Sequence, residues 1–416
     1  MPRASLARRL FVVAISLGLV GGGCAAKPAE PPLWADSKFT VGERDRAILR
    51  GLDFIEELVE KDKPFDDNIG DLLWCHYAIE ATTPDANLRE LAGDRGREMA
   101  KRWKKGVRGL PLDANIFEVW DLASTLYVAE SLGMRHDDLR AQLEPAIAKY
   151  SAKTWLGFDP QTDAPPNKTY TILGKEACIA ANAPRIQSAT IVVEDIEEVG
   201  AKGRAGKRGS GSLGQPVKAS GGKFGSSGKT GGGKLGSGDC PKVKVTMTNL
   251  DVFYDAMITT YFGDRFGVTH GATFADFTQW IPQLYPYATQ EQVGSSVFYD
   301  LIYTVTHIVY THNDYGKKRI DPADLPEEFR FLRETFTVPL EDNDCETFAE
   351  YVDTLKSFGV TPEADVNMAR AIESLMSLQN FDGSWGDPFD NVYNRFHTTW
   401  TAIEGLRDYR FDDGDR

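Results

Sequence analysis

Two polar stripes run along otherwise apolar helical segments in the second half of this chain. The first, at i, i+4, i+7 and i+11, consists of Asp300, Thr304, His307 and Thr311; the second consists of His397, Thr401, Glu404 and Asp408. Imidazoles and carboxylates are the usual general acids, general bases and metal ligands of proteins. A polar stripe on a mostly apolar helix fits the wall of a polar cavity, and it fits a solvent-exposed face equally well.

A metal site built from these stripes would need histidines from different helices. His307 and His312 lie about 140° apart on a helix of 3.6 residues per turn, so a single regular helix does not bring both to one ion. His307 and His397, joined by Asp300 or His270, form a candidate set. Each histidine taken alone is also explained as a hydrogen-bonded polar residue without a ligand role.

Helical periodicity predicts the elements that must position these side chains. Apolar residues recur at helical spacing in residues 44–150, as in RDRAILRGLDFIEELVEK, and again in residues 247–416, where most segments end in Gly, Pro or Asn. Residues 151–246 form a long, irregular insertion rich in Gly, Ser and Lys, in which IQSATIVVEDIEEV has the β-branched residues of a short strand. The sequence therefore predicts an all-α fold in two parts, interrupted by this insertion.

An internal repeat links the two ends of the chain. RGLDFIEELV is followed by CHYAIEA near the start, and RAIESLMSLQ is followed by TWTAIEGL near the end. Each unit is predicted to be a helix, a turn-rich connection and a second helix that carries Ala-Ile-Glu. One such hairpin cannot bury its own apolar stripe, whereas several stacked in a ring can. We therefore expect both ends of the chain to meet around a shared hollow.

The later copy of the repeat carries a recognisable motif, formed by Arg370, Gln379, Gly383 and Trp385. This pattern resembles the QW motif of triterpene cyclases, in which the glutamine amide bonds across a turn and the tryptophan covers the end of a hairpin. RFHTTWTAIEGL is similar to the pattern around the zinc-ligating histidine of protein prenyltransferase β-subunits, with His397 in that place. The resemblance covers about forty residues. It implies the α/α toroid of helical hairpins that terpenoid cyclases and protein prenyltransferases share.

The same resemblance implies two kinds of chemistry. Class II cyclases protonate their substrate with an Asp-x-Asp-Asp acid, and Asp342 and Asp344 have that spacing here, although Cys345 follows them. The prenyltransferase zinc site uses Asp, Cys and His, which makes Asp344, Cys345 and His397 a candidate set for zinc. A structural alternative remains open, in which Asp344 caps a helix and Cys345 is a buried free thiol.

The amino terminus predicts export. Three arginines precede an apolar stretch at residues 10–20, which has the length of a signal peptide and is too short to span a bilayer. Small residues and Cys24 follow, a pattern that resembles a bacterial lipoprotein signal, in which the cysteine carries lipid such as palmitate after cleavage. Residues 1–23 are then the signal and residues 24–43 a tether. Ala25 resembles the form sorted to the outer membrane, so a periplasm-facing envelope lipoprotein is expected; an ordinary signal peptide with an incidental cysteine is the alternative.

The low-complexity loop at residues 201–239 has too few apolar residues to bury a core. Residues 201–244 hold ten Lys or Arg against one Asp, within a chain of formal net charge -14. This local charge predicts contact with anionic lipid headgroups or an anionic envelope polymer, and a solvated insertion is the alternative. The acidic total disfavours a nucleic-acid role. Cys178 and Cys240 flank the loop, and export would allow them to form a disulfide.

Three functions are compatible with these features. The first is ligand binding in the central cavity of an exported toroid, and the second is a metal- or acid-dependent reaction in that cavity. The third is a non-catalytic envelope scaffold that recruits partners through the basic loop. The chain has no nucleophile elbow, phosphate loop, HExxH or haem motif.

Overall fold

The computed structural model describes residues 39–61, 68–194, 240–342 and 344–412. The predicted signal, the lipidation site Cys24, most of the tether and the basic loop at 201–239 lie outside these ranges. Within the described ranges, no helix combines the length and the apolar character that crossing a membrane requires.

The prediction of a predominantly helical fold is confirmed. Sixteen helices lie in the described ranges: α1 Val41–Lys61, α2 Ile69–Thr82, α3 Ala86–Gly106, α4 Ile116–Ser131, α5 Asp137–Ile147, α6 Ala152–Leu156, α7 Gly174–Asn182, α8 Leu250–Phe266, α9 Phe274–Thr278, α10 Gln290–Val293, α11 Ser295–His312, α12 Pro326–Thr335, α13 Thr337–Glu341, α14 Cys345–Ser357, α15 Val366–Leu378 and α16 Val392–Leu406. The last residues assigned to the tether, 41–43, belong to α1.

The insertion contains an antiparallel three-stranded sheet, where the sequence predicted at most one short strand. The strands are β1 Asn167–Ile172, β2 Ala189–Glu194 and β3 Lys242–Thr248, and β3 lies in the middle. In β3, buried Val243, Val245 and Met247 alternate with more exposed residues, as expected for a strand with one face on the core. A disulfide joins α7 to the sheet. It links Cys178 of α7 to Cys240, which lies two residues before β3, with an S–S distance of 2.08 Å.

Six helices follow one another as neighbours through the fold. α2 packs against α4, α4 against α8, α8 against α11, α11 against α14, and α14 against α16. The last of these helices also packs against α1, the first. The hydroxyl of Tyr393 on α16 donates to Asp71 on α2 at 3.0 Å, which joins the end of this series to its beginning. The amino- and carboxyl-terminal parts of the described chain are therefore in direct contact.

Gln379 connects α1 to the hairpin of α15 and α16. Its Nε2 donates to the carbonyl of Ala47 at 2.8 Å and to the carbonyl of Gly383 at 3.0 Å, across the turn that follows α15. Its Oε1 accepts from the guanidinium of Arg50 at 3.0 Å. The basic partner of this glutamine thus comes from the first copy of the repeat, whereas Arg370 of the motif itself is exposed.

Trp385 fills the space between this turn and α1. Its side chain is fully buried, and its Nε1 donates to the carbonyl of Leu375 at 2.7 Å. Gly51 lets the indole approach α1, because a Cβ at that position would lie 2.9 Å from the tryptophan ring. Gly383 has φ +94, and a Cβ there would collide with the carbonyl of Arg50. We call Arg50, Gln379, Gly383 and Trp385 the terminal clamp.

Candidate functional site

A partly enclosed cavity of about 80 Å³ lies where α2, α11, α14 and α16 meet. Its aromatic lining consists of Trp74, Tyr310, Tyr315, Trp400 and Tyr409. Its ionisable lining consists of His307, Glu350, Asp353, His397 and Glu404. We call this space the central cavity.

The structure brings together three of the five side chains that the sequence offered for a cavity or metal site. His307, His397 and Glu404 all line the central cavity. Asp300 instead accepts a hydrogen bond from Tyr170 of β1 at 2.8 Å and lies 3.5 Å from Lys168. Asp300 therefore does not line the central cavity, although it shares a stripe of α11 with His307, because the sheet packs against its turn of the helix.

Asp344 is also placed away from the cavity, at the start of α14. Its carboxylate accepts from the backbone N–H of Thr347 at 3.2 Å and from the Thr347 hydroxyl at 2.8 Å. This is helix capping, the structural alternative for that residue. Further along the same helix, Glu350 and Asp353 line the cavity.

His397 forms an ion pair with Glu346. Its Nδ1 donates to Glu346 Oε1 at 2.9 Å, and the hydroxyl of Thr398 donates to Oε2 at 3.1 Å. Burial lowers the pKa of the imidazole, but the charge and hydrogen bond of Glu346, with the charges of Glu350 and Asp71, outweigh burial and raise the pKa of His397 to about 9. Burial raises the pKa of Glu346, yet His397 brings it below its ordinary value. Both members are therefore charged at neutral pH.

His307 has the opposite protonation state. Its Nδ1 lies 2.6 Å from the carbonyl of Tyr303, and because a carbonyl only accepts, Nδ1 carries the proton. Burial lowers the pKa of His307 to about 4, and the nearby positive charge of His397 acts in the same direction. The ring is therefore neutral near pH 7, with the lone pair on Nε2 free of a proton. Tyr254 stacks on this ring with centroids 5.4 Å apart.

Glu350 lies one helical turn beyond Glu346 on α14. Its Oε2 accepts from the hydroxyl of Thr306 at 2.9 Å. Burial raises the pKa of Glu350 to about 8, helped by the charge of Glu346 and opposed by that of His397. At neutral pH the cavity lining thus contains the carboxylic acid of Glu350, the neutral imidazole of His307 and the imidazolium of His397, and the Glu346 carboxylate pairs with that imidazolium from behind the lining.

A second polar group lies at the end of the cavity where α16 ends. Glu404 accepts from Arg407 Nε at 2.6 Å and from the hydroxyl of Tyr409 at 2.9 Å. Asp353 lies 3.9 Å from Lys356, whose pKa falls to about 8 chiefly because it is buried. Asp353 Oδ1 is buried and has no hydrogen-bond partner among the described residues. This end of the cavity therefore contains two acid–base pairs and one unsatisfied carboxylate oxygen.

The candidate zinc sets are not assembled. Within the described ranges, no three His, Cys, Asp or Glu side chains are placed to share one metal ion. Cys345 is buried, and burial raises the pKa of its thiol, which disfavours the thiolate that zinc binds. His270 lies between Trp120 and Trp155, and the Nδ1 of His312 contacts the carbonyl of Ile308 at 2.7 Å. Neither histidine lines the central cavity.

Sequence reasoning missed three acidic residues of this site. Glu346, Glu350 and Asp353 lie at i, i+4 and i+7 on α14, the same spacing as the stripes of α11 and α16. This spacing is the only signal for them in the sequence of α14, and an ordinary solvated helix face has the same spacing.

Comparison with known proteins found no matching family model, no matching curated protein and no matching solved structure.

Substituting Glu346 by glutamine should lower the pKa of His397 by roughly 1–3 units, because the ion pair is lost. Titration of the imidazole Cε1–H signal by NMR measures this. In the wild type the folded-state pKa of His397 exceeds its unfolded value of 6.5, so the resulting stability is complete below pH 6.5 and is lost as pH rises through about 9. Exposed Glu363→Gln is the matched control. A His397 pKa unchanged by Glu346→Gln would contradict the ion pair.

Proposed function

We propose that this chain is an exported, lipid-anchored protein whose helices form a terpenoid-cyclase-like α/α toroid that binds a ligand at its centre. The ring arrangement is supported by the neighbour series from α2 to α16 and by the contacts of α16 with α1 and α2. The terminal clamp supports it further, because the clamp holds the first helix against the last hairpin. In this arrangement α2, α4, α8, α11, α14 and α16 form the inner ring.

The observation that carries ligand binding is the polar lining of the central cavity. Burying charged groups is unfavourable unless they are paired, and apolar residues at the same positions would commonly stabilise a fold as well or better. Here three helices, α11, α14 and α16, bring ionisable side chains to one space, and Asp353 Oδ1 is left without a hydrogen-bond partner among the described residues. Ionisable side chains with strongly shifted pKa values in a cavity are typical of functional sites.

Filling the cavity tests this proposal. Ala78 lines the cavity, and Ala78→Phe should occupy much of it, whereas exposed Ala148→Phe is the matched control. In a thermal-shift screen of sugars, amines, carboxylates and fatty acids, we expect one class to stabilise the wild type and the control but not Ala78→Phe. If no class stabilises the wild type, or every hit stabilises Ala78→Phe equally, ligand binding in this cavity is wrong.

Location in the cell envelope, with the outer membrane preferred, rests on the amino-terminal sequence. The disulfide between Cys178 and Cys240 supports an oxidising compartment. Cys24→Ser should move the protein from the membrane fraction to the soluble periplasmic fraction, as followed by immunoblotting. Undiminished membrane retention of this variant would rule out lipid anchoring through Cys24.

An acid–base enzyme is the second candidate function, and one observation favours it. Glu350 lines the central cavity, Glu346 is paired with the cavity-lining His397, and the pKa values of the two carboxyl groups are shifted in opposite directions, an arrangement that supplies a base and an acid at the same pH. If the enzyme converts a cavity ligand to product, Glu350→Gln should lower kcat by roughly 10²- to 10⁴-fold, while the affinity of the variant for that ligand changes little. A metal-assisted version requires stoichiometric zinc on elemental analysis, lost in His307→Ala and His397→Ala. Turnover unaffected by all three substitutions would remove this candidate.

We also propose that the basic segment, residues 201–244, contacts anionic envelope polymer or lipid headgroups, as a scaffold would. Its support is local charge alone, since most of this segment lies outside the described ranges. Deleting residues 203–237 should abolish sedimentation with anionic vesicles and leave the helical circular dichroism intact. Equal sedimentation of the deletion variant would count against this role.

A further inference from the structure

We infer that the ligand of the central cavity is a neutral polyhydroxylated ring, the chemistry of a single sugar residue. This inference rests on the proposed ligand-binding function and adds the class of ligand. Four independent properties of the cavity support it: its size, its flat aromatic walls, its unpaired polar atoms and its balanced charge.

The size of the cavity matches one small ring. The cavity volume of about 80 Å³ is the space open to the centres of water-sized spheres, and one water needs roughly 10–15 Å³ of it, so the cavity accommodates roughly six waters. Six waters occupy about 180 Å³ in the liquid, which is close to the volume of one hexose. A long acyl chain or a folded peptide segment would not fit without rearrangement of the helices.

The walls of the cavity are flat and aromatic. Tyr315 lies edge-on to Trp74, with centroids 5.1 Å apart, and is stacked with Tyr310 at 5.9 Å. Trp400 lies on the opposite helix α16, beside His397. Aromatic faces bind apolar C–H surfaces while leaving polar groups at the ring edges accessible. A pyranose has this distribution, with C–H groups on its faces and hydroxyls around its edge.

Two of the residues that line the cavity carry buried polar atoms that the described residues leave without a hydrogen bond. Trp74 Nε1 is a buried donor without a partner, and Asp353 Oδ1 is a buried acceptor without a partner. His307 Nε2 is a further acceptor, because Nδ1 of that ring carries the proton. A hydroxyl both donates and accepts, so a hydroxylated ligand suits a lining that carries unpaired atoms of both kinds. A hydrocarbon would leave such atoms desolvated and unpaired, which is unfavourable.

The charges around the cavity cancel in pairs, which favours a neutral ligand. Glu346 is paired with His397, and Glu404 with Arg407. Asp353 has Lys356 as its counter-charge. A cationic or anionic ligand would find no unpaired opposite charge among these groups, whereas a neutral ligand disturbs no pair.

The test is a binding titration of the full chain by isothermal calorimetry at pH 7. The probes are the methyl glycosides of glucose, galactose, mannose and N-acetylglucosamine, with cyclohexanol and n-butylammonium as comparison ligands. We expect at least one glycoside to bind. Asp353→Asn should weaken glycoside binding roughly 10- to 100-fold, as expected for the loss of a hydrogen bond to a charged group. Trp74→Phe should weaken it about 2- to 10-fold, as expected for the loss of a hydrogen bond between neutral groups. Asp342→Asn and Trp103→Phe, outside the cavity, are the matched controls and should change the affinity less than twofold.

The outcomes separate this inference from the function on which it rests. If cyclohexanol or n-butylammonium binds more tightly than every glycoside and depends on Asp353 or Trp74, the ligand class is wrong and the cavity still binds a ligand. The ligand class is also wrong if the only compounds that stabilise the wild type but not Ala78→Phe in the thermal-shift screen are not sugars. If no probe and no screened compound binds in the cavity, both the ligand class and the proposed function are wrong. Circular dichroism of each variant shows whether the fold is retained, and Trp74→Phe keeps the test decisive should Asp353→Asn unfold.

Discussion

Trp385→Ala is expected to lower the free energy of unfolding by about 3–5 kcal/mol, the range for removing a large buried aromatic side chain. The indole is fully buried between α1 and the last hairpin, and its N–H is bonded to the carbonyl of Leu375. The alanine variant loses this packing and leaves a cavity at the place where the two ends of the chain meet. Chemical denaturation followed by circular dichroism measures the change.

Phe381→Ala is the matched control for this experiment. Phe381 belongs to the same turn but is 102% exposed, so its truncation should change the stability by less than about 0.5 kcal/mol. Equal, small effects of Trp385→Ala and Phe381→Ala would show that the terminal clamp does not stabilise the fold. A large effect of both would show that truncating either side chain disrupts the turn, so that the loss is not specific to the buried indole.

The double variant Cys178→Ser/Cys240→Ser is expected to lose about 4 kcal/mol of stability by the chain-entropy estimate. The disulfide closes a loop with a sequence separation of 62, and without it the unfolded chain gains freedom that folding must then remove. The denaturation midpoint of the double variant should fall below that of the oxidised wild type.

Reduction provides the control for this second experiment. Dithiothreitol should lower the midpoint of the wild type towards that of the double variant and leave the double variant unchanged, because Cys75 and Cys345 are free and buried. A wild-type protein whose midpoint is the same with and without reductant, and the same as that of the double variant, would contradict a stabilising disulfide. Mass spectrometry under each condition confirms the state of the thiols.

Local sequence patterns predicted the helices and part of the cavity lining. Helical spacing placed His397 and Glu404 on one face of α16, because residues three and four apart lie on the same face of a helix. Their meeting with His307 of α11 at the central cavity depends on packing between the two helices. The helical hairpins at both ends of the chain likewise followed from the repeat.

Non-local packing accounts for what the sequence did not predict. Asp300 shares a stripe with His307 but lies two turns earlier, where Tyr170 of β1 approaches from an insertion far away in the chain. The sheet itself depends on pairing β3 with β1 and β2, which both lie on the other side of a long sequence gap, and periodicity does not specify this pairing. Arg50, not Arg370, meets Gln379 for the same reason: the partner comes from the other end of the chain.

Acidic residues were the hardest part of the site to predict. Glu346 and Glu350 have the i, i+4 spacing of an ordinary solvated helix face, and only the facing His397 and Thr306 distinguish them from one. Their opposite pKa shifts arise from neighbours on other helices. No feature of α14 read by itself contains that information.

The register of β2 with β3 has a consequence for the evolution of the insertion. Glu194 pairs directly with Lys242, so the chain leaves the described fold after one strand and returns beside it on the next, within about one strand spacing. The chain between Glu194 and the disulfide-bonded Cys240 can therefore change in length or content without moving either strand. This segment is thus a site at which a foreign domain, such as a fluorescent protein, can be inserted while the helical part of the fold keeps its structure.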